Sequence, residues 1–336
     1  MNLRETWSQI ESLGSPGFIA RRLSPEPRDR LHAAVDMARG SRLLVLECRA
    51  SPGGAIQAAL ASTDGYSARC APLDISSTPK LCIIIESKHE TPFEVFLSLC
   101  EDVAQAVLQR GPNEDAENAF AGRLLLWRRL FENRGAEGLG YEARLGLLAE
   151  IIHLRELITT GGEPAELIAW WTGPDKLATD FQSPHGRTEV KATTSRKQYK
   201  VHINGERQLE TLDGRPLSLV AMMFERVVAD GVSLPDEVLR IRQLLGTGAA
   251  SQLFGAKLLE AGYLSAHEDS YRTDSLRLLE TREYRVEAGF PRIESADVSE
   301  GVGDLQYSID LSACEPYRLA SGSAAHSLLG LEAHES

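Results

Sequence analysis

No apolar run in this sequence is long enough to cross a bilayer, and the beginning of the chain is not apolar. Uninterrupted apolar runs are short, as at residues 81–85, and residues 1–14 are polar, whereas a membrane-spanning helix needs about 20 mostly apolar residues. A secretory signal would also need an apolar core. We therefore expect a soluble protein that is not exported, does not contact membranes and resides in the cytoplasm.

Cysteine is scarce, and its spacing suggests no pairing. The five cysteines are odd in number, widely separated and without a C-x-x-C pair: Cys48, Cys70, Cys82, Cys100 and Cys314. This pattern supports neither a disulfide framework nor a zinc site. The glycine clusters 161–162 and 246–248 lack the following Lys-Ser/Thr and the three-glycine spacing of nucleotide-binding loops. The sequence therefore shows no sign of an ATPase motor.

Positive charge is in deficit, although one stretch is basic. The chain has 36 basic and 48 acidic residues and a formal net charge of -12, which argues against a protein that coats nucleic acid non-specifically. Basic residues nevertheless outnumber acidic ones between residues 187 and 207. Two interpretations stay open for this stretch, a solvated basic face and a phosphate-binding strip. On the second, the candidate nucleic-acid-binding residues are Arg187, Arg196, Lys197, Lys200 and Arg207.

The composition is that of a folded globular protein with room for more than one domain. The chain has 336 residues, of which 43% are hydrophobic and 25% are charged, so disordered and coiled-coil classes are disfavoured. Short strand-like runs and a helical pattern at 92–108 predict an N-terminal α+β domain over 1–115, ending at the turn-rich segment 111–115. Two further segments follow this domain, a core over 116–230 and a C-terminal extension of helices and strands over 231–336.

The core is predicted to combine two helices with a following sheet. Apolar periodicity places helices at 119–131 and 141–159, and the second has a wide apolar band that indicates burial. Strands are expected at 167–171, 180–181, 188–194, 199–203 and 217–224. The adjacent tryptophans Trp170 and Trp171 are assigned to the core and not to a site, and the tail from Ser321 onward is expected to be loosely held.

The segment from Asp180 to Lys191 carries the most informative pattern. If residues 183–186 form a four-residue turn, a hairpin pairs 181 with 188 and Asp180 with Glu189. Directly opposed carboxylates about 5 Å apart repel each other unless a cation lies between them, and a hard divalent ion is the obvious candidate. Period-two alternation places Lys191 on the same face as Glu189, while Val190 points into the packing. Such a site can orient water and stabilise charge on a phosphate.

A second copy of this pattern shows that Glu-x-Lys alone is not specific. Asp74 followed by Glu86-Ser87-Lys88 fits the same description. Two companions favour the later copy. Glu150 is a lone acid on the apolar stripe of the buried helix and requires a partner, and Gln208 follows the next strand, where it could bind a water or phosphate oxygen.

The order Glu150, Asp180, Glu189-Val190-Lys191, Gln208 resembles the PD-(D/E)XK nuclease superfamily. The chain resembles more closely the bacterial PD-(D/E)XK motif proteins encoded in phage-defence clusters beside MutL-like ATPases, Z1-domain helicase-like proteins and AIPR proteins. The segments that carry this resemblance are R-L-L-L-W-R-R-L-F, G-L-L-A-E-I-I-H-L, A-W-W-T-G-P, E-V-K-A-T-T and V-H-I-N-G-E-R-Q-L, within residues 119–254.

The resemblance implies a restriction-endonuclease-like core, with a mixed central sheet flanked by helices, and a Mg²⁺ site. Asp180 and Glu189 would be metal ligands, the Val190 carbonyl would add a third oxygen, and Glu150 would assist the metal or its waters. Lys191 would position the attacking water, and Gln208 would be the late polar motif. Mn²⁺ is a possible substitute for Mg²⁺.

The literal Pro-Asp pair of the motif name occurs at Pro174-Asp175 and not at Asp180. Asp180 is the preferred first acid, because hairpin symmetry places Asp175 opposite Thr194 and away from Glu189. Both remain candidates at this level.

Two functions follow from the sequence and the resemblance. The first is a Mg²⁺-dependent DNA endonuclease that acts as a subunit of an anti-phage defence system, with ATPase or helicase-like partner proteins and possible homodimers that cut both strands. The second is a DNA-binding or scaffold subunit that does not cleave, for which the net negative charge is the reason.

Overall fold

The computed structural model describes residues 2–49, 53–75, 79–134, 138–194, 199–211 and 214–331. The chain divides into two compact units. The first contains Met1–Gly138 with Gly262–His267, and the second contains Leu139–Ala261 with Glu268–Ser336. The boundaries expected near 115 and 230 each fall inside one of these units, and the three-domain division stays a prediction.

The first unit is built on an antiparallel sheet. The elements in chain order are α1 (Leu3–Glu11), β1 (Phe18–Arg22), β2 (Leu31–Asp36), β3 (Ser41–Glu47), α2 (Gly54–Ala59), β4 (Tyr66–Leu73), β5 (Lys80–Ser87), α3 (Phe93–Leu108) and α4 (Ala116–Arg134). The five strands have the order β1-β2-β3-β5-β4 in the sheet, and every neighbouring pair is antiparallel. A short 3-10 helix at Ser265–His267 also belongs to this unit.

Aromatic packing and one buried ion pair hold the helices of this unit in place. The fully buried indole of Trp7 on α1 stacks on Phe96 of α3 and donates a hydrogen bond to the Leu43 carbonyl on β3 at 3.2 Å. Arg110, after α3, donates to the Asp29 carboxylate at 2.7 Å, and both side chains are nearly inaccessible. A buried charge is tolerated only with such a partner.

The second unit contains a mixed sheet, a two-stranded sheet and most of the remaining helices. Short 3-10 helices lie at Glu206–Leu209, Ser295–Asp297 and Leu311–Tyr317. The other elements are α5 (Tyr141–Thr160), α6 (Pro164–Trp170), β6 (Phe181–Gln182), β7 (Arg187–Thr193), β8 (Lys200–Ile203), β9 (Leu217–Arg226), α7 (Leu234–Leu245), α8 (Ala249–Ala261), α9 (Glu268–Tyr271), β10 (Leu276–Arg285), β11 (Tyr307–Asp310) and α10 (Ser323–Leu329).

The mixed sheet has the order β10-β9-β7-β6. Its two central strands, β7 and β9, run parallel, and the outer pairs are antiparallel, while β8 pairs separately with β11. Helix α5 packs on β7 and has buried residues around its circumference, as its wide apolar band predicts. The predicted fold class, a mixed α/β restriction-endonuclease-like core, is confirmed.

Two local predictions are wrong. Residues 167–171 were expected as a strand, but Leu167 and Ile168 lie in α6. This helix begins where Pro164 occupies its first turn and the Glu163 carboxylate accepts a hydrogen bond from the Glu166 amide at 3.0 Å. From Ser321 to Leu329 the tail is not loosely held, because it forms α10 and buries Ala324, Ala325 and Leu328. None of the described helices is long and apolar enough to span a membrane.

Candidate active site

The hairpin of β6 and β7 has the predicted register. Phe181 pairs with Thr188 and Gln182 with Arg187, and residues 183–186 form the turn. Asp180 therefore comes directly before β6, opposite the part of β7 that carries Glu189. Its Oδ2 accepts a hydrogen bond from the Val190 amide at 2.8 Å. The short turn thus brings the acid of one strand to the backbone of the other.

Glu189 and Lys191 lie on the same face of β7. Lys191 Nζ is 2.7 Å from Glu189 Oε1, and Glu189 has no exposed surface. By strict geometry, neither carboxylate oxygen of Glu189 has a hydrogen-bond partner among the described residues, although the Lys191 ammonium and the Asp180 amide lie close enough to favour its charged form. Lys191 Nζ donates to Gln208 Oε1 at 3.0 Å, and the same oxygen accepts from the Asn204 amide at 2.8 Å. Gln208 therefore holds the ammonium beside the acid.

Glu150 reaches the same place from α5. Its Oε2 accepts a hydrogen bond from the Trp171 indole Nε1 at 2.7 Å. A Cβ atom added to Gly173 would lie 2.5 Å from Glu150 Oε2 and 3.1 Å from Asp180 Oδ1. The carboxylates of Glu150 and Asp180 therefore converge over the α-carbon of Gly173, next to the Glu189–Lys191 pair.

Burial and mutual repulsion perturb the protonation of these acids. Burial, followed by repulsion from Asp180, raises the pKa of Glu150 well above its usual range. The same two causes raise the pKa of Glu189 to about 8. Burial also raises the pKa of Asp180, against the favourable effects of Lys191 and the Val190 amide. For Lys191, burial lowers the pKa, but Glu189 and Asp180 raise it by more, so the net shift is upward. In the absence of a further cation, these three acids therefore retain protons at pH values at which free carboxyl groups would have lost them.

The carboxylate oxygens of these acids suit a hard divalent cation, but they are not arranged as a preformed metal site. Buried carboxylate oxygens without hydrogen-bond partners, as in Glu189, are what an oxygen-binding cation would satisfy. However, no group of three or more His, Cys, Asp or Glu side chains in the described parts of the chain is arranged tightly enough to hold a metal. The carboxylates would have to draw together around an ion. Asp180, Glu189 and Glu150 are the side chains available for this.

The predicted nucleic-acid-binding residues differ in how far their side chains are exposed. Arg187 is only 5% exposed and donates to the Glu210 carbonyl at 2.8 Å, so its guanidinium is engaged inside the protein. Arg207 is well exposed and lies 3.9 Å from Glu206, and Lys200 is partly exposed on β8. Arg196 and Lys197 lie outside the described residues. Contact of these residues with nucleic acid stays a prediction.

Sequence reasoning missed two residues at the site. Trp171 was assigned to the core, and it is indeed fully buried, but its indole nitrogen also contacts Glu150. Gly173 has no functional group that would mark it in the sequence, although its lack of a side chain is what admits both acids. Asp175, the alternative first acid, instead forms an ion pair with Lys257 on α8. Proximity to Glu189 therefore favours Asp180.

Comparison with known families supports the resemblance seen in the motifs. Residues 3–312 match a family model described as "Putative PD-(D/E)XK family member, (DUF4420)". The comparisons with curated proteins and with solved structures gave no match. Because the family model covers nearly the whole sequence, including every residue of the site, the chain belongs to this PD-(D/E)XK family.

Proposed function

We propose that the protein is a Mg²⁺-dependent endonuclease that hydrolyses phosphodiester bonds of DNA, as a subunit of a bacterial anti-phage defence system. The observation that carries this proposal is the convergence of Asp180, Glu189 and Glu150 on one lysine, with Glu189 fully buried. A structural role does not require three acids at one place with a single ammonium between them. Membership of a PD-(D/E)XK family supports the same chemistry.

The residues divide the work according to their chemistry. Asp180, Glu189 and Glu150 would hold Mg²⁺ or Mn²⁺, with the Val190 carbonyl as a further oxygen ligand. The bound ion would supply positive charge that stabilises the phosphate during hydrolysis and lowers the pKa of a bound water. Lys191 would hold the attacking water in line with the phosphorus atom. Gln208 would fix the ammonium of Lys191 through their 3.0 Å hydrogen bond.

Recognition of DNA would depend on partner proteins. The net charge of -12 predicts weak unaided binding to a polyanion. ATPase or helicase-like subunits of the same system would therefore deliver the substrate, and two copies of the chain would allow both strands to be cut.

A non-cleaving DNA-binding or scaffold subunit is the second candidate. The net charge of -12 favours this second candidate. The Arg187 guanidinium also favours it, because this group is engaged inside the protein. The first candidate would cleave DNA in a metal-dependent reaction, whereas the second would not cleave it.

The deciding experiment measures Mg²⁺- or Mn²⁺-dependent cleavage of plasmid and phage DNA by the purified protein, with and without its genomic neighbours. Lys191→Ala is the site variant. Lys88→Ala is the matched control, because Lys88 occupies the same position in the Glu86-Ser87-Lys88 copy of the motif. Cleavage that Lys191→Ala abolishes and Lys88→Ala retains supports the nuclease. Partner binding without cleavage under any condition would favour the scaffold.

A further inference from the structure

The segment Trp171–Gly173 contacts both acids of the site that do not lie on β7, Asp180 and Glu150. Its main chain holds Asp180, because the amides of Thr172 and Gly173 both donate to the Asp180 carbonyl, at 2.7 and 3.0 Å. Trp171 also forms an isolated antiparallel bridge with Phe181. The segment therefore continues the β6–β7 hairpin on the side opposite β7 and shares the position of Asp180.

The side chain of Trp171 holds the other acid, Glu150. An indole nitrogen can only donate a hydrogen bond, and a carboxylate is a strong acceptor. The Trp171 ring is fully buried and packs on Phe254 of α8, with 6.0 Å between ring centroids. Because this packing fixes the ring, the direction of its N–H is also fixed. The hydrogen bond at 2.7 Å thus orients the Glu150 carboxylate through its Oε2.

Gly173 supplies the space into which both acids converge. A Cβ at this position would lie 2.5 Å from Glu150 Oε2, which is closer than real Cβ atoms approach other heavy atoms, and 3.1 Å from Asp180 Oδ1. Its φ angle is not in the left-handed region. The glycine is therefore required for room and not for an unusual backbone conformation.

We propose that Trp171 and Gly173 are positioning residues that hold Glu150 against Asp180, and that they thereby set the affinity of the site for a divalent cation. Neither residue offers a ligand atom through its side chain. Both act through Glu150, one by orienting its carboxylate and the other by admitting it. This inference rests on the proposed metal-dependent function.

The test measures Mn²⁺ binding to the full-length protein by titration calorimetry without DNA, so that it does not depend on catalysis. Trp171→Phe keeps a buried aromatic ring but removes the N–H. Loss of a group that orients a metal ligand typically weakens metal binding about 10- to 100-fold, and we expect a loss in this range. Trp170→Phe, the neighbouring substitution of the same kind, is expected to leave Mn²⁺ affinity unchanged.

A glycine pair gives an independent measurement. Gly173→Ala is expected to weaken Mn²⁺ binding to a similar extent, because the added methyl group displaces the Glu150 carboxylate. Gly146→Ala is the matched control, since Gly146 lies one helical turn before Glu150 on α5 and a Cβ there meets no atom within 4 Å. Thermal melting of all four variants identifies any that fails to fold, and the other substitution then carries the test.

A double-mutant cycle separates positioning from general structural support. In a Glu150→Ala background, Trp171→Phe should cause no further loss of Mn²⁺ affinity, because the group through which it acts is gone. An equal loss in both backgrounds would overturn the proposal, as would unchanged affinity in both Trp171→Phe and Gly173→Ala. Failure of the wild-type protein to bind Mn²⁺ at all would instead count against the proposed function.

Discussion

Loss of the proton on Glu189 should make the metal-free protein less stable as the pH rises. Burial and the neighbouring Asp180 raise the pKa of Glu189 from 4.5 to about 8 in the folded protein. A carboxyl group with a raised folded-state pKa binds its proton more tightly in the folded than in the unfolded chain. The resulting stability is fully present below pH 4.5 and is lost as the pH rises through 8. Glu189→Gln, which keeps the shape but cannot ionise, should remove this dependence.

The size of the effect follows from the two pKa values. Each unit of pKa difference corresponds to about 1.4 kcal/mol, and integrating between the two values predicts that the wild-type protein loses about 2 kcal/mol of unfolding free energy between pH 6 and pH 8. The Glu189→Gln variant should lose little of its unfolding free energy over this interval, because position 189 then carries no ionisable group. The stability of the variant relative to the wild-type protein should therefore be about 2 kcal/mol more favourable at pH 8 than at pH 6.

Urea denaturation in EDTA at pH 6 and pH 8 measures this difference directly. Glu300→Gln, which removes an exposed carboxylate from the same unit, is the control and should behave as the wild type. Equal pH dependence in the wild type and Glu189→Gln would refute the reasoning. Added Mg²⁺ should stabilise the wild type more at pH 8 than at pH 6, because the ion competes with the proton for the carboxylates; an equal effect at both values would count against Glu189 as a ligand.

Two further substitutions test the assignment of the first acid and the packing of the first unit. Asp180→Asn should abolish cleavage, whereas Asp175→Asn should retain it. Asp175→Asn should also lower the melting temperature, because it leaves the buried ammonium of Lys257 without its carboxylate partner. Loss of cleavage in Asp175→Asn alone would reverse the assignment of the first acid. Gly65→Ala should destabilise the first unit by about 1–3 kcal/mol, because its Cβ would lie 2.2 Å from the Phe131 ring, and an unchanged urea midpoint would contradict this.

The parts of the site that depend on local geometry could be predicted from the sequence. A turn of four residues fixes the register of its hairpin, and the register in turn fixes which side chains share a face. The positions of Asp180, Glu189 and Lys191 relative to one another follow from these two steps. The buried helix α5 was also predictable, because its apolar band is too wide for a surface helix.

Contacts between distant segments could not be predicted in this way. The hydrogen bond between Trp171 and Glu150 joins α5 to the end of α6, and no spacing in the sequence encodes it. The short apolar run of α6 does not by itself distinguish a helix from a strand, and only Glu163 and Pro164 mark the start of a helix there. The burial of Arg187 depends on a carbonyl 23 residues further along the chain. Charge counting treats every arginine as exposed.

The two copies of the Glu-x-Lys pattern show how structure separates a structural acid from a candidate catalytic one. Glu86 on β5 has both oxygens satisfied, by the Ser41 hydroxyl and the Arg69 guanidinium, each at 2.7 Å. Glu189 on β7 is fully buried, yet neither of its oxygens has a hydrogen-bond partner among the described residues. An unsatisfied buried group costs about 1–3 kcal/mol, and nearby acids raise this cost. The proton that Glu189 retains up to about pH 8 lowers this cost in the metal-free protein, and a divalent cation at the proposed site would take the place of that proton. The partners of the carboxylate thus distinguish the two copies, although the motif is the same in both.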